Sequence, residues 1–329
     1  MPRTVRVHAF GGPEVLEIEE HPAPVPGRGQ VRLDIRAIGI NRNEIAFRSG
    51  HGGPPPTFPA QIGFEAAGVI AAVGPNVTEF APGERVAVIP TFSVWEYGLY
   101  SETSLAPARA LVRIPDEQSW TEAAATWAAF ATAWVGLVDQ GALSSAQMVL
   151  ITAASSSVGL AAIQMAQDLG AIPIALTRSA TKVEQLRHAG AAAVIATNTE
   201  VPRAEIMRLT DGRGANLAFD AVAGELFSSL VPSIRVGGRA VVYGGLSREA
   251  PQLPLFALLG RNLTIRGFAL SLSLSDDSKL AAAKAAILDG LERGALRPTI
   301  ARTFPFSDIA EAHRYMESGA QFGKIVVTV

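Results

Sequence analysis

Hydrophobic and polar positions follow two different rhythms along this chain. Up to Trp120, short apolar or alternating runs sit between Gly- and Pro-rich punctuation at residues 22–29, 50–59, 74–76 and 82–83. Residues 31–38 alternate with a period of two, and 69–73 and 85–89 read the same way, which predicts strands. This is the pattern of a compact β domain with long loops. From Trp120 the texture changes. A helix is expected over 121–140, started by Thr121 and Glu122. Strands and helices then alternate: strand 148–152, helix 158–169 stopped at Gly170, strand 172–176, helix 182–188 stopped by Gly190. Further strands are expected at 192–195, 217–219, 240–243 and 263–265. Such alternation predicts a parallel sheet with helices on both faces. The tail returns to mixed structure, with helices at 279–293 and 307–318 and a last strand at 324–329.

Length and composition narrow the function classes. A chain of 329 residues suggests two domains, and 48% hydrophobic with 18% charged residues is ordinary globular composition. A formal net charge of −2 without a dense Lys/Arg block gives no electrostatic support for a nucleic-acid or anionic-membrane partner. The absence of cysteine excludes disulfides and thiolate-bound metal, and fits a cytoplasmic protein. Arg3 and Arg6 have no apolar run behind them, so no signal peptide is expected. The most hydrophobic stretch, 123–138, is short for a membrane span and reads as a buried helix.

The segment VLITAASSSVG at 149–159 carries the chemistry. A buried strand runs through a tight turn into a helix, the place where a dinucleotide pyrophosphate meets free N–H groups. The usual fingerprint asks for small residues at three positions, here Ala154, Ser156 and Gly159. NAD-binding proteins commonly place an acidic residue at the end of the second strand for the ribose 2′-hydroxyl. Here Thr177, Arg178 and Ser179 are followed by Lys182, with no carboxylate to repel a 2′-phosphate. This set favours NADPH over NADH.

Taken together and in order, GINRNEIAFRSG (39–50), GFEAAGVI (63–70), PGERV (82–86), AASSSVGLAAIQMAQDLGA (153–171), FDAVAG (219–224) and AEAHRYMESGAQFGKIVV near the end resemble the medium-chain dehydrogenase/reductase superfamily. Within it, the chain is similar to the zinc-free quinone oxidoreductase (zeta-crystallin-like) and enoyl reductase branch. The resemblance covers essentially the whole chain. It implies an α/β protein with a GroES-like β-rich catalytic domain, residues 1–122 and 268–329, and a Rossmann doubly wound domain, residues 123–267. The cofactor would lie in the cleft, as open α/β sheets generally arrange. Carried over residue by residue, Asn41 and Thr132 would lie near the nicotinamide. Ser156, Ser157 and Val158 would meet the pyrophosphate, and Arg178, Ser179 and Lys182 the 2′-phosphate. Val222, Tyr243, Gly244, Phe268 and Leu270 would line the rest, with Lys324 a further candidate.

The zinc-dependent relatives hold catalytic zinc with a Cys, the His of a Gly-His-Glu motif, and a later Cys or acidic residue. Here Asn41 and Phe64 stand at the first two positions, so no metal is expected. The five histidines are scattered without close ligand spacing. Without a Lewis acid, an isolated ketone is a hard substrate, whereas a quinone or enone spreads the developing charge. Direct hydride transfer to such an acceptor is the expected chemistry. Asn41, Arg42 and His51 are the candidate hydrogen-bond donors, with Tyr97 and Tyr100 weaker ones, and Trp95 and Phe92 an apolar wall. Relatives commonly carry a tyrosine on the loop after Arg-Ser-Gly, and this chain has glycine there. Two alternatives stand beside this reading: an acyl-thioester enoyl reductase, and a non-catalytic NADPH-binding protein. A homodimer is the family expectation.

Overall fold

Alternating positions become strands wherever one face of the chain can be buried. In a computed structural model describing residues 1–329, the N-terminal elements are β1 (Arg3–Val7), β2 (Glu17–Glu20), β3 (Gln30–Ile40), α1 (Arg42–Arg48), β4 (Ala60–Gln61), β5 (Ala66–Val73), β6 (Arg85–Val88), β7 (Thr103–Pro107) and β8 (Leu111–Arg113). β3 shows the rule. Val31, Leu33 and Ile35 are buried while Arg32, Asp34 and Arg36 between them are not, and beyond Ala37 the strand is buried on both faces. Burying each such aliphatic side chain stabilises the fold by about 1.5–3 kcal/mol.

α2 (Trp120–Trp134) comes next and runs on into a π-helical segment, Val135–Gln140. This is the apolar stretch at 123–138. Almost all of its side chains are buried in protein, and no helix of the chain is long and apolar enough to cross a membrane.

The alternating region then supplies β9 (Met148–Ile151), α3 (Ser157–Asp168), β10 (Ile172–Thr177), α4 (Val183–His188), β11 (Ala193–Ala196), α5 (Pro202–Leu209), β12 (Ala215–Asp220), α6 (Gly224–Leu230), β13 (Ile234–Val242), α7 (Leu255–Gly260), β14 (Thr264–Gly267), α8 (Leu270–Ser273) and α9 (Asp277–Glu292). Its six strands form one parallel sheet in the order β11-β10-β9-β12-β13-β14. The order reverses at β9, whose Val149, Leu150 and Ile151 are fully buried, as the central strand of a doubly wound sheet requires. α5 escaped the pattern reading because it buries a single side chain, Ile206, too little for a period to show.

The tail forms β15 (Ile300–Pro305), α10 (Ile309–Ser318) and β16 (Lys324–Thr328). β16 pairs antiparallel with β3, matching Ile325 to Ile40 and Val327 to Ile38, and so joins the seven-stranded sheet of the N-terminal part. The chain divides into one unit of Met1–Ala128 with Pro298–Val329 and a second of Ala129–Arg297. The return point therefore lies thirty residues later than the expected 267/268. α9 is the reason. It is capped by Asp276 and tied into the second unit by Lys279 to Asp139 and Arg293 to Asp168.

Candidate active site

The dinucleotide turn leaves the carboxyl end of β9. Ala153 takes a positive φ of 46°, and Ser156 N donates back to the Ala153 carbonyl at 2.9 Å, closing the turn. Ser156 then caps α3, its hydroxyl accepting from Gly159 N at 3.0 Å. The first amides of the helix, Ser157 and Val158, accordingly point out of its N-terminus without helical partners. Gly159 is obligatory for packing. A Cβ there would lie 2.6 Å from Ala154 Cα and from its carbonyl oxygen. The only glycine of the degenerate fingerprint is thus the one that lets helix and turn meet.

At the end of β10, Arg178 is exposed and Lys182 reaches back to Ser155 Oγ at 3.3 Å. Burial, and then the neighbouring Arg178 charge, push the Lys182 ammonium below the usual lysine range. An exposed guanidinium with a part-buried ammonium on a serine hydroxyl suits an anionic group. Ser179 is used differently from the expectation. Its hydroxyl caps the next turn, accepting from Thr181 N at 3.2 Å.

Asp220 shapes the loop after β12. Its buried carboxylate accepts from Thr152 Oγ1 at 2.7 Å, Val222 N at 3.1 Å and Ala223 N at 2.8 Å. Burial raises its pKa while these donors oppose the shift. Tyr243 stacks on Phe219 at 4.2 Å between centroids and, at 6.2 Å, on Phe268. Gly244 stands next, where a Cβ would come within 2.9 Å of the Ala221 carbonyl. Leu270 opens α8, and Thr132 is buried near the end of α2. The turn at 152–159, Arg178 with Lys182, Val222, Tyr243 with Gly244, and Phe268 all lie just beyond the carboxyl ends of parallel strands, where open sheets bind ligands.

A second polar centre lies in the other unit, around Asn41, the residue before α1. Asn41 Oδ1 accepts from the Lys324 ammonium at 2.6 Å, and Asn41 Nδ2 donates to the Gly39 carbonyl at 3.0 Å and Glu65 Oε2 at 3.1 Å. Lys324 also pairs with Glu65 Oε2, and Glu65 Oε1 accepts from Ala128 N at 2.6 Å. Lys324 is 1% exposed and Glu65 0%, so Lys324, expected as a cofactor contact, is committed within its own unit. Arg42 donates to the Met316 carbonyl at 2.6 Å, and His51 is exposed on the loop after α1.

Beneath Asn41 runs a buried chain of hydrogen bonds. Tyr100 donates its hydroxyl to Glu44 Oε2 at 2.5 Å, and that carboxylate also accepts from Asn41 N at 2.6 Å. The Tyr100 hydroxyl also shares a hydrogen bond with His313 Nε2 at 3.0 Å. Burial raises Glu44 to about 8 against the Tyr100 and Asn41 hydrogen bonds, and burial together with Arg48 lowers His313 to about 3. Tyr100 is fully buried and points at Glu44, which corrects its candidacy as a donor to substrate. Phe92 is a core residue, and Trp95 packs edge-on against Phe47. The expectation of scattered histidines also needs correction. The β1–β2 hairpin brings His8, Glu17 and Glu19 together on an exposed surface, and Glu19 bonds both His8 and His21.

These residues do not fit a catalytic zinc. Phe64 offers no ligand and is buried in the apolar core, and the Asn41 oxygen already holds an ammonium that would repel a metal ion. They do fit a dinucleotide. Gly159 lets α3 start directly at the turn so that its first amides are presented beyond β9, and Lys182 reaches the same turn at Ser155 with Arg178 exposed nearby.

Comparison with known proteins agrees. Residues 27–116 match the alcohol dehydrogenase GroES-like domain, and 157–285 match the zinc-binding dehydrogenase family. The chain is 31% identical to a 2-haloacrylate reductase of Burkholderia sp, over 98% of this chain and 97% of that one. It is 30% identical to a human quinone oxidoreductase, over 99% and 97%. The structure of an Escherichia coli quinone oxidoreductase complexed with NADPH superimposes with a TM-score of 0.93 at 27% identity, covering 99% of this chain and 100% of that one.

The geometry of the turn and of the buried chain gives two tests. Gly159→Ala forces a methyl group into the backbone of the turn. It is expected to destabilise the protein by about 1–3 kcal/mol in urea unfolding and to weaken nicotinamide dinucleotide binding in a fluorescence titration. The second is pH dependence. Glu44 is raised above its ordinary 4.5, so the stability it contributes is complete below that value and lost as pH rises through about 8. His313 is lowered from 6.5, so its contribution is complete above 6.5 and lost as pH falls toward about 3. Of this pair, only Glu44 titrates between pH 6.5 and 8. The urea midpoint should fall across that window, and Glu44→Gln should flatten the fall.

Proposed function

Because the chain belongs to the medium-chain dehydrogenase/reductase superfamily, as an oxidoreductase of the zinc-independent quinone oxidoreductase branch, we propose that it reduces quinones or α,β-unsaturated carbonyl compounds with NADPH. One observation carries the choice of acceptor: an ammonium, in place of a metal-ligand set, sits on Asn41. A conjugated acceptor needs less electrostatic help than an isolated ketone, because its developing charge is delocalised. The names of the relatives support this, since quinones and acrylates both conjugate a C=C bond with a carbonyl group.

In this reading the Ser157 and Val158 amides, with Ser156, bind the pyrophosphate, and Arg178 and Lys182 bind the 2′-phosphate. Tyr243, Gly244, Val222, Phe268, Leu270 and Thr132 line the remaining surface. When bound, NADPH supplies the hydride for the β-carbon of the acceptor. Asn41, Arg42 and His51 are the donors available to the acceptor oxygen, and solvent supplies the proton. The β14 edge and the exposed apolar residues of α7 also suit a second copy of this chain. β14 is one edge of the sheet, and Leu255, Phe256 and Leu259 of the preceding helix α7 are exposed, Phe256 at 89%. Two such edges paired about a two-fold axis would satisfy both rows of backbone groups.

Steady-state kinetics with NADPH and NADH across quinones, enones, an enoyl thioester and primary alcohols tests the activity. Reduction of a quinone or enone with NADPH preferred is expected, and Arg178→Ala should erode that preference by about ten- to hundredfold. Robust alcohol oxidation with no activity on any conjugated acceptor contradicts the reading, as does NADPH binding without turnover of any substrate. Light scattering checks the assembly. A dimer is expected that Phe256→Asp converts to monomer, and a monomeric unmutated protein at every concentration rules the dimer out.

A further inference from the structure

We propose that Lys324 is a positioning residue for this reaction: its buried ammonium, balanced by Glu65, orients the Asn41 amide so that Asn41 can share an N–H with the acceptor oxygen. The inference rests on the reading of Asn41 as a donor given above.

The fold leaves a fitted space for this cation. Lys324 opens β16 and is followed by three buried apolar residues, Ile325 to Val327, and its backbone is drawn in by a 2.7 Å hydrogen bond from Lys324 N to the Thr299 carbonyl. Gly323 before it takes a φ of +105°, where a Cβ would lie 2.3 Å from that same carbonyl oxygen. Across the pair, a Cβ on Gly39 would come within 2.7 Å of Glu65 Oε2 and 2.8 Å of Lys324 Cε. Gly39 therefore leaves the space that the ion pair fills, while Gly323 lets the chain pass close to the Thr299 carbonyl just before Lys324.

The chemistry of the groups fixes the amide. An ammonium only donates, so the Asn41 carbonyl oxygen must face it and Nδ2 must face away. Drawing electron density toward Oδ1 also makes the Nδ2 hydrogens stronger donors. Both are engaged, one with the Gly39 carbonyl and one with Glu65 Oε2. The second bond is expendable. Glu65 keeps Ala128 N on Oε1 and Lys324 on Oε2 whether or not Asn41 remains. Asn41 can therefore lend a hydrogen without stranding a buried carboxylate, which would be costly. Lys324 acts twice here, on the amide and on the carboxylate that would otherwise hold it.

Lys324→Met alone leaves Glu65 unpaired and endangers folding, so the paired variant Lys324→Met/Glu65→Gln is the main test, with Lys324→Arg beside it. The side-chain amide resonances of Asn41, assigned by their loss in Asn41→Ala, provide a readout independent of turnover. They should shift in the paired variant and stay near their original positions in Lys324→Arg. With an enone, kcat of the paired variant should fall about tenfold or more while the NADPH dissociation constant is unchanged. In an Asn41→Ala background the paired change should have no further effect on kcat, because the two act through one amide. Unmoved Asn41 resonances, or a fall in kcat that multiplies with that of Asn41→Ala, overturns the role of Lys324. An Asn41→Ala variant with undiminished kcat overturns instead the reading of Asn41 on which the inference rests.

Discussion

One buried ammonium organises the polar centre of the N-terminal unit. Lys324 has no water to turn to, so its charge must be met by Glu65 and its remaining hydrogens by neighbouring oxygens. That requirement draws β16, β5 and the end of β3 to one point, and the Ala128 amide of α2 to the far side of the carboxylate. Asn41 sits where these elements converge. Its backbone amide is held by Glu44 and its side chain by the ion pair, so both the start of α1 and the direction of the amide stem from one electrostatic constraint. A metal has no place in such an arrangement, because the position it would need is occupied by like charge.

In the second unit the binding edge that we propose is shaped by loop backbone rather than by a cage of side chains. Parallel strands all end at one edge of the sheet, and local sterics determine the path that each loop takes from there. Gly159 admits the helix to the turn, Ser156 caps it, and Asp220 gathers the loop after β12 by accepting from two successive amides. Ala223 bears part of the strain, held at φ 60° and ψ −149° where glycine is far more comfortable. The Arg178–Lys182 pair supplies charge of the sign that a phosphate needs.

Much of this was legible in the chain. The period of two in 31–38, the alternation after Trp120 and the degenerate turn at 149–159 each report a local rule, and local rules survive into the fold. The missing carboxylate after β10 was readable for the same reason. Contacts made over long sequence distances were not. Glu44, Tyr100 and His313 form one hydrogen-bonded chain, yet nothing in their local surroundings marks them as partners, and Tyr100 stood only as a weaker candidate donor. His8 and Glu19 are neighbours only because β1 and β2 pair. The later return point at Pro298 was hidden because α9 binds its unit through Lys279 and Arg293, on a helix whose pattern does not say which domain it covers. Lys324 was visible as a charge opening an apolar strand, but its partners were not.

In the reaction we propose, hydride is delivered to a conjugated carbon without a metal to polarise the carbonyl. The most direct measurement tracks the hydride itself, by NMR of the product formed from an enone and NADPH deuterated at C4 of the nicotinamide. Deuterium is expected on the β-carbon of a saturated carbonyl product, with the carbonyl group intact. Deuterium on the carbonyl carbon of an alcohol product would contradict it.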